Sequence, residues 1–189
     1  KDTYVELRAP LGNGLDLKLG TYTEILGYEV FEAGNNPNYT RSYGYALEPT
    51  QMTGLLATYQ FCPVVTAMFG ICNAWNAGVN ARSFPAMAES FKTYMGMLMF
   101  TAPTNTAFLA GSTLSVGAIN GFAAPLNATV TSYYVGGTVN TPVSGLKLGF
   151  AFDDLDVHGM SGESWALGGY VAYQATEKLS FNARGEYVR

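Results

Sequence analysis

Few residues in this chain are spaced for covalent chemistry. His158 is the only histidine among 189 residues, and it stands beside Gly159 in a stretch that reads as a solvated loop. A Ser-His-Asp arrangement would depend on it entirely, and no nucleophile elbow is present. Asp153-Asp154-Leu155-Asp156, with Glu163, could supply oxygen ligands to Ca²⁺. The match to an EF-hand loop is partial: His158 is wrong at the third ligand, and Trp165 stands where the final Glu belongs. Solvated acidic side chains are the favoured reading, with Asp154 and Asp156 the candidates for any Ca²⁺. Gly12-Asn13-Gly14 lacks the third glycine and following helix of a dinucleotide loop, so it reads as a hairpin turn. Cys62 and Cys72 match no zinc motif. With a turn at Pro63 they lie too far apart along one hairpin to bond, so two packed free thiols are expected. Neither enzymatic activity nor an organic cofactor is expected.

The charges with the most telling spacing alternate with apolar residues. Glu6 and Arg8 interleave with Val5 and Leu7, and Asp16 and Lys18 with Leu15, Leu17 and Leu19. Lys147, Asp153, Arg184 and Glu186 do the same farther along. A strand sends successive side chains to opposite faces, so each segment is half apolar and half polar. In a bilayer an Arg or Lys on the lipid face costs about 2–4 kcal/mol at the midplane, so these charges should point into a lumen. There they can set up a transverse field that orients water and solutes, or simply solvate the lumen and pair across strands.

About ten such ribbons can be traced. They cover Thr3–Ala9, Leu15–Gly20, Gln51–Phe61, Thr66–Trp75, Phe91–Thr101, Ala107–Asn120, Asn127–Asn140 and Leu146–Asp153. The ninth carries Trp165, Leu167, Val171 and Tyr173 on one face, and the tenth sets Leu179, Phe181, Ala183 and Tyr187 against Ser180, Asn182, Arg184 and Glu186. The fifth is apolar on both faces, so its inner side should be covered. Short turns at 10–14, 62–65, 103–105, 141–145 and 176–178 alternate with connections that are mostly longer, at 21–50, 76–90 and 154–164. Outer-membrane barrels show that asymmetry; Greek-key sandwiches do not. The expected fold is therefore an all-β, antiparallel transmembrane β-barrel. Residues 1–189 form a single domain, read as an internal portion of a longer chain and part of a larger barrel.

The longest connection, 21–50, holds Glu24, Glu29, Glu32 and Arg41 among Tyr22, Tyr28, Tyr39, Tyr43 and Tyr45. A loop this long in a compact domain is usually functional or disordered, and its aromatic content argues for order. It is expected to fold into the barrel and narrow it. Glu24, Glu29, Glu32, Arg41, Tyr39 and Tyr43 are the constriction candidates.

Composition agrees. Only 13% of residues are charged, against roughly 25% in soluble domains. No Asp, Glu, Lys or Arg occurs from Thr93 to Leu146. That neutral stretch could lie against another subunit, so a homo-oligomer, such as a trimer, is an expected partner. The net charge of −4 and the dispersed Lys and Arg argue against nucleic-acid binding. No run of about 20 apolar residues marks a membrane helix.

The stretch Gly14 to Trp75 resembles a known family, on Leu15-Asp16-Leu17-Lys18-Leu19-Gly20, Leu26-Gly27-Tyr28-Glu29-Val30 and Ala33-Gly34-Asn35-Asn36-Pro37-Asn38-Tyr39-Thr40-Arg41-Ser42-Tyr43. Thr53-Gly54-Leu55-Leu56-Ala57-Thr58-Tyr59 and Asn73-Ala74-Trp75-Asn76 complete it. It is similar to the second β-barrel porin family of Gram-negative bacteria (OmpL-like). Asn73-Ala74-Trp75 departs from that family's Asn-Gly-Trp, and Cys62-Pro63 from its polar turn. The resemblance implies a pore in the bacterial outer membrane, in contact with its lipid, through which small hydrophilic solutes or ions diffuse. A structural or adhesive barrel plugged by the long loop is the alternative. A soluble β-sandwich or solenoid binding module is a third reading.

Overall fold

The computed structural model describes residues 2–76, 90–162 and 164–189. Ten antiparallel strands form one sheet in which each strand pairs with the next along the chain. They are β1 (Thr3–Ala9), β2 (Leu15–Thr23), β3 (Gln51–Cys62), β4 (Val65–Cys72), β5 (Thr93–Thr101), β6 (Thr113–Ala123), β7 (Ala128–Asn140), β8 (Leu146–Val157), β9 (Ser164–Thr176) and β10 (Leu179–Val188). β1 and β10 are the two edges. A five-residue helix, α1 (Tyr43–Leu47), is the one α-helix among the described residues, and no described helix is long and apolar enough to cross a membrane.

Register places the alternation of the sequence onto two faces. Glu6 lies opposite Lys18 and Arg8 opposite Asp16; farther round, Lys147 pairs with Asn140 and Ala172. The other face carries the exposed Leu7, Leu19, Leu55, Phe69, Leu98, Val116, Phe150 and Val171. Aromatic residues bracket this apolar band. Phe61, Phe100, Tyr173 and Phe181 stand toward the short turns; Tyr94, Trp165 and Tyr187 stand toward the long connections. Two such girdles are the mark of a wall that crosses a bilayer.

Several boundaries differ from the sequence expectation. β2 runs on to Thr23. The turn expected at 103–105 is an eleven-residue connection containing a 3₁₀ turn at Ala107–Leu109, so β6 starts at Thr113 rather than Ala107. Ala107 itself has a positive φ of 51°, which no strand accommodates. On the opposite end, β6 and β7 are joined by only residues 124–127, so the alternation of short and long connections is incomplete. β8 continues through Asp154 and Asp156 to Val157, because the β7 ladder extends to Val130 and holds that segment extended. The two aspartates therefore stand at alternate positions on one face of a strand, not in a Ca²⁺-binding loop. Glu163 and the segment 77–89 lie outside the described residues. Both cysteines are free, but Cys62 is exposed at the end of β3 while Cys72 is buried.

The inner face is not polar throughout. Met52, Leu56, Cys72, Met95, Ile119, Tyr134, Ala151 and Tyr170 form a buried apolar cluster on it, joined by Tyr22 and Leu26. Something must cover that cluster, and the connection between β2 and β3 does.

Candidate functional site

Residues 24–50 form a strap laid across the inner face. Leu26 enters the apolar cluster, with Ile25 and Tyr28 packed at its margin. Burying apolar side chains here removes them from lumen water, at about 25 cal/mol per Å². Tyr28 stacks on Tyr170 of β9 with ring centroids 3.9 Å apart. Its hydroxyl reaches the wall at Gly149, where a Cβ would lie 2.0 Å away; only glycine leaves that space. The Asn-Asn-Pro element has a local purpose. The Asn36 carboxamide accepts from the Val30 N–H at 2.8 Å and donates to the Val30 and Glu32 carbonyls at 2.7 and 3.0 Å. It closes the strap's own turn by satisfying backbone that has no ladder to join. Arg41 adds hydrogen bonds to the Val30 and Phe31 carbonyls and covers the Tyr45 ring at 4.4 Å. Ser42 caps α1 by accepting from the Tyr45 N–H at 3.1 Å. At the far end, Asn76 Oδ1 accepts from the Thr50 and Gln51 N–H groups at 2.9 and 3.3 Å.

Charge fastens the strap to β10. The Glu29 carboxylate, fully buried, accepts from Arg184 at 2.7 Å and from the Ser42 N–H at 3.0 Å. Arg184 also donates to the Thr40 and Arg41 carbonyls at 2.6 and 2.7 Å and pairs with Glu186 at 2.7 Å. Glu186 in turn accepts from the Tyr43 N–H at 2.7 Å. Arg184 can serve so many acceptors because its guanidinium presents five donors in a fixed fork.

Glu48 is buried beside Asp153 of β8. Burial, then the neighbouring Asp153, pushes the Glu48 pKa well above its ordinary range, which favours a proton on it. Asp153 also lies against α1 at Gly44, where a Cβ would come within 2.2 Å of its carboxylate. Burial lifts Glu24 from 4.5 to about 8, helped by Glu32 and Asp2 and opposed by Arg41.

The structure thus brings together Glu24, Glu29, Arg41, Asp153, Arg184 and Glu186 from the residues singled out by sequence. It separates the rest. Glu6, Arg8, Asp16 and Lys18 sit together near the β1 edge: Arg8 pairs with Asp16 at 3.2 Å, and Lys18 lies over the Tyr4 ring at 4.4 Å. The side chains of Glu32, Tyr39 and Tyr43 are exposed on the strap, Tyr39 completely, and Tyr43 meets the wall only through its N–H. His158 bonds Thr131 at 3.0 Å on the outer face and lies 3.7 Å from Asp156. Among the described residues no group of three or more His, Cys, Asp or Glu could hold a metal ion. Sequence reasoning missed Glu48, Tyr134 and Tyr170, and named Tyr28 only as one of the connection's aromatic residues. Methionine at alternate inner positions of β5 was the available signal that this wall is covered.

Between the strap and the short-turn end of the wall lies a cavity of about 800 Å³. Its floor includes Ser115, Tyr134, Thr138 and Lys147, and its roof Tyr28 and Asn35. The arrangement is an inner face, part apolar and part polar, crossed by a strap that is fixed to it through buried charge.

No curated protein and no solved structure matches the chain. One family model does, over residues 1–189, and its description is "Putative beta-barrel porin-2, OmpL-like". An all-β wall of ten antiparallel strands agrees with that match, and the chain belongs to this β-barrel porin family.

Proposed function

We propose that the chain forms the wall of a passive diffusion channel in the bacterial outer membrane, admitting small hydrophilic solutes or ions. It carries out no covalent reaction and takes no organic cofactor or metal. The observation that carries this reading is the strap: it covers the apolar cluster of the inner face and leaves beside it a cavity of about 800 Å³ lined mostly by polar side chains and glycine. A polar lumen inside an apolar, aromatic-girdled wall is what a water-filled pore requires. Because lipid leaves no partner for unpaired backbone, the β1 and β10 edges are completed by further strands, of this protein or of a second copy. The same outer wall would make the contacts of a homo-oligomer, for which a trimer is the expected form.

The test is single-channel conductance of the full protein in a planar bilayer, with a salt gradient. Stepwise openings support the channel, and the reversal potential reports which lumen charges dominate. A folded, inserted protein that never conducts overturns it and favours a plugged structural barrel.

A further inference from the structure

The charge inside the lumen is strongly segregated. The strap's contact with the wall gathers five carboxyl groups (Glu24, Glu29, Glu48, Asp153 and Glu186) around only Arg41 and Arg184. The cavity on the other side of the strap has a different character. Lys147 is the sole charged residue that lines it among the described residues. Its cross-strand neighbours are Asn140 and Ala172, and no ion pair holds its ammonium among the described residues. The rest of the lining is hydroxyl, carboxamide, glycine and tyrosine, with Pro37 and Ala172 the apolar exceptions. Ser115 and Thr138 present hydroxyls from the floor, Asn182 an amide from β10, and Tyr28 and Tyr134 rings from roof and wall.

Such a surface discriminates by chemistry. An unpaired ammonium attracts one carboxylate, and a compact cation with three donors suits a single-point anion contact. Neutral hydroxyls and amides exchange hydrogen bonds with solute hydroxyls at little desolvation cost. The volume lies within the roughly 300–1,000 Å³ range of small-molecule sites. We propose that this cavity is a binding site for polyhydroxylated monocarboxylates, compounds of the sugar-acid type, with the carboxylate on Lys147 and the hydroxyls on Ser115, Thr138 and Asn182. The inference supplies a solute class for the proposed channel, and rests on that reading for the solute's access.

The test is titration calorimetry of the detergent-folded full protein with gluconate, glucose and acetate, run beside bilayer conductance with the same solutes. Gluconate is expected to bind saturably, at least tenfold more tightly than either glucose or acetate, and to block the open channel in the same order. Lys147→Gln should weaken gluconate at least tenfold and leave glucose unchanged, while Lys147→Arg restores most of the affinity. Equal binding of gluconate and glucose, or gluconate binding indifferent to Lys147→Gln, overturns the site. Gluconate binding by a protein that does not conduct overturns the channel and leaves the site standing; conduction without gluconate binding does the reverse.

Discussion

Arg184 is where most of the strap's polar attachments converge. With the Glu29 side chain fully buried and that of Arg184 only 11% exposed, removing the guanidinium leaves a buried carboxylate without its cation. Breaking such a pair costs about 3–5 kcal/mol. Arg184→Ala should therefore free the strap, seen as rapid protease cleavage within 24–50 while the strands survive, together with a larger conductance. Unchanged cleavage would mean that the apolar cluster alone holds the strap. Protonation acts at the same scale. Glu24 has a folded pKa of about 8 against an ordinary 4.5, and Glu48 is raised too. A carboxyl with a higher pKa folded than unfolded keeps its proton longer in the folded state, so ionising it works against the fold. The contribution of Glu24 to holding the strap is fully present below pH 4.5 and is lost as pH rises toward about 8. Protease cleavage of the strap should quicken over that interval, and Glu24→Gln should flatten the profile. A parent protein cleaved equally at both ends of the interval would refute the argument.

At the scale of elements, the strap and the wall are matched by small residues. Gly149 and Gly44 exist where a Tyr28 hydroxyl and an Asp153 carboxylate would otherwise collide with a Cβ. Gly149→Ala should lift Tyr28 off Tyr170 and change conductance without unfolding the sheet, because the clash is with a rigid ring rather than a flexible chain end. The apolar contact can be probed separately. Leu26→Ala should cost about 2–5 kcal/mol of strap attachment, as large-to-small changes in packed clusters do. Replacing residues 25–49 by a short Gly-Ser turn should raise conductance several-fold; no change would show that the narrowest point lies elsewhere.

For the whole molecule, the decisive property is that its two faces answer to different solvents. Val116 and Leu98 stand on the exposed apolar face and pair directly across β5 and β6. Val116→Arg should cost about 2–4 kcal/mol in vesicle-based unfolding, the penalty of a cation toward lipid. Thr138→Arg, into the lumen, should cost far less and shift ion selectivity instead. Equal penalties at the two positions would contradict the assignment of faces.

Much of this was legible in the chain itself. A period of two in side-chain polarity is a local property, so Glu6, Arg8, Asp16 and Lys18 could be assigned a face before any partner strand was known. Strand count, the sparing use of charge and the length of the 21–50 connection followed in the same way. Strand ends were less legible, since β8 is held extended to Val157 by β7, and the connection at 102–112 is tied to β7 by Asn140, whose carboxamide donates to the Ala110 carbonyl and whose N–H donates to the Ser112 hydroxyl. What only the tertiary structure decided is the interior. Glu29 and Arg184 are 155 residues apart, and Glu48 and Asp153 come from a loop and a distant strand. Alternation specifies which way a side chain points but not what stands in front of it. The apolar cluster, the raised carboxyls and the isolation of Lys147 all follow from where the strap lies, and that is settled by packing across the sheet.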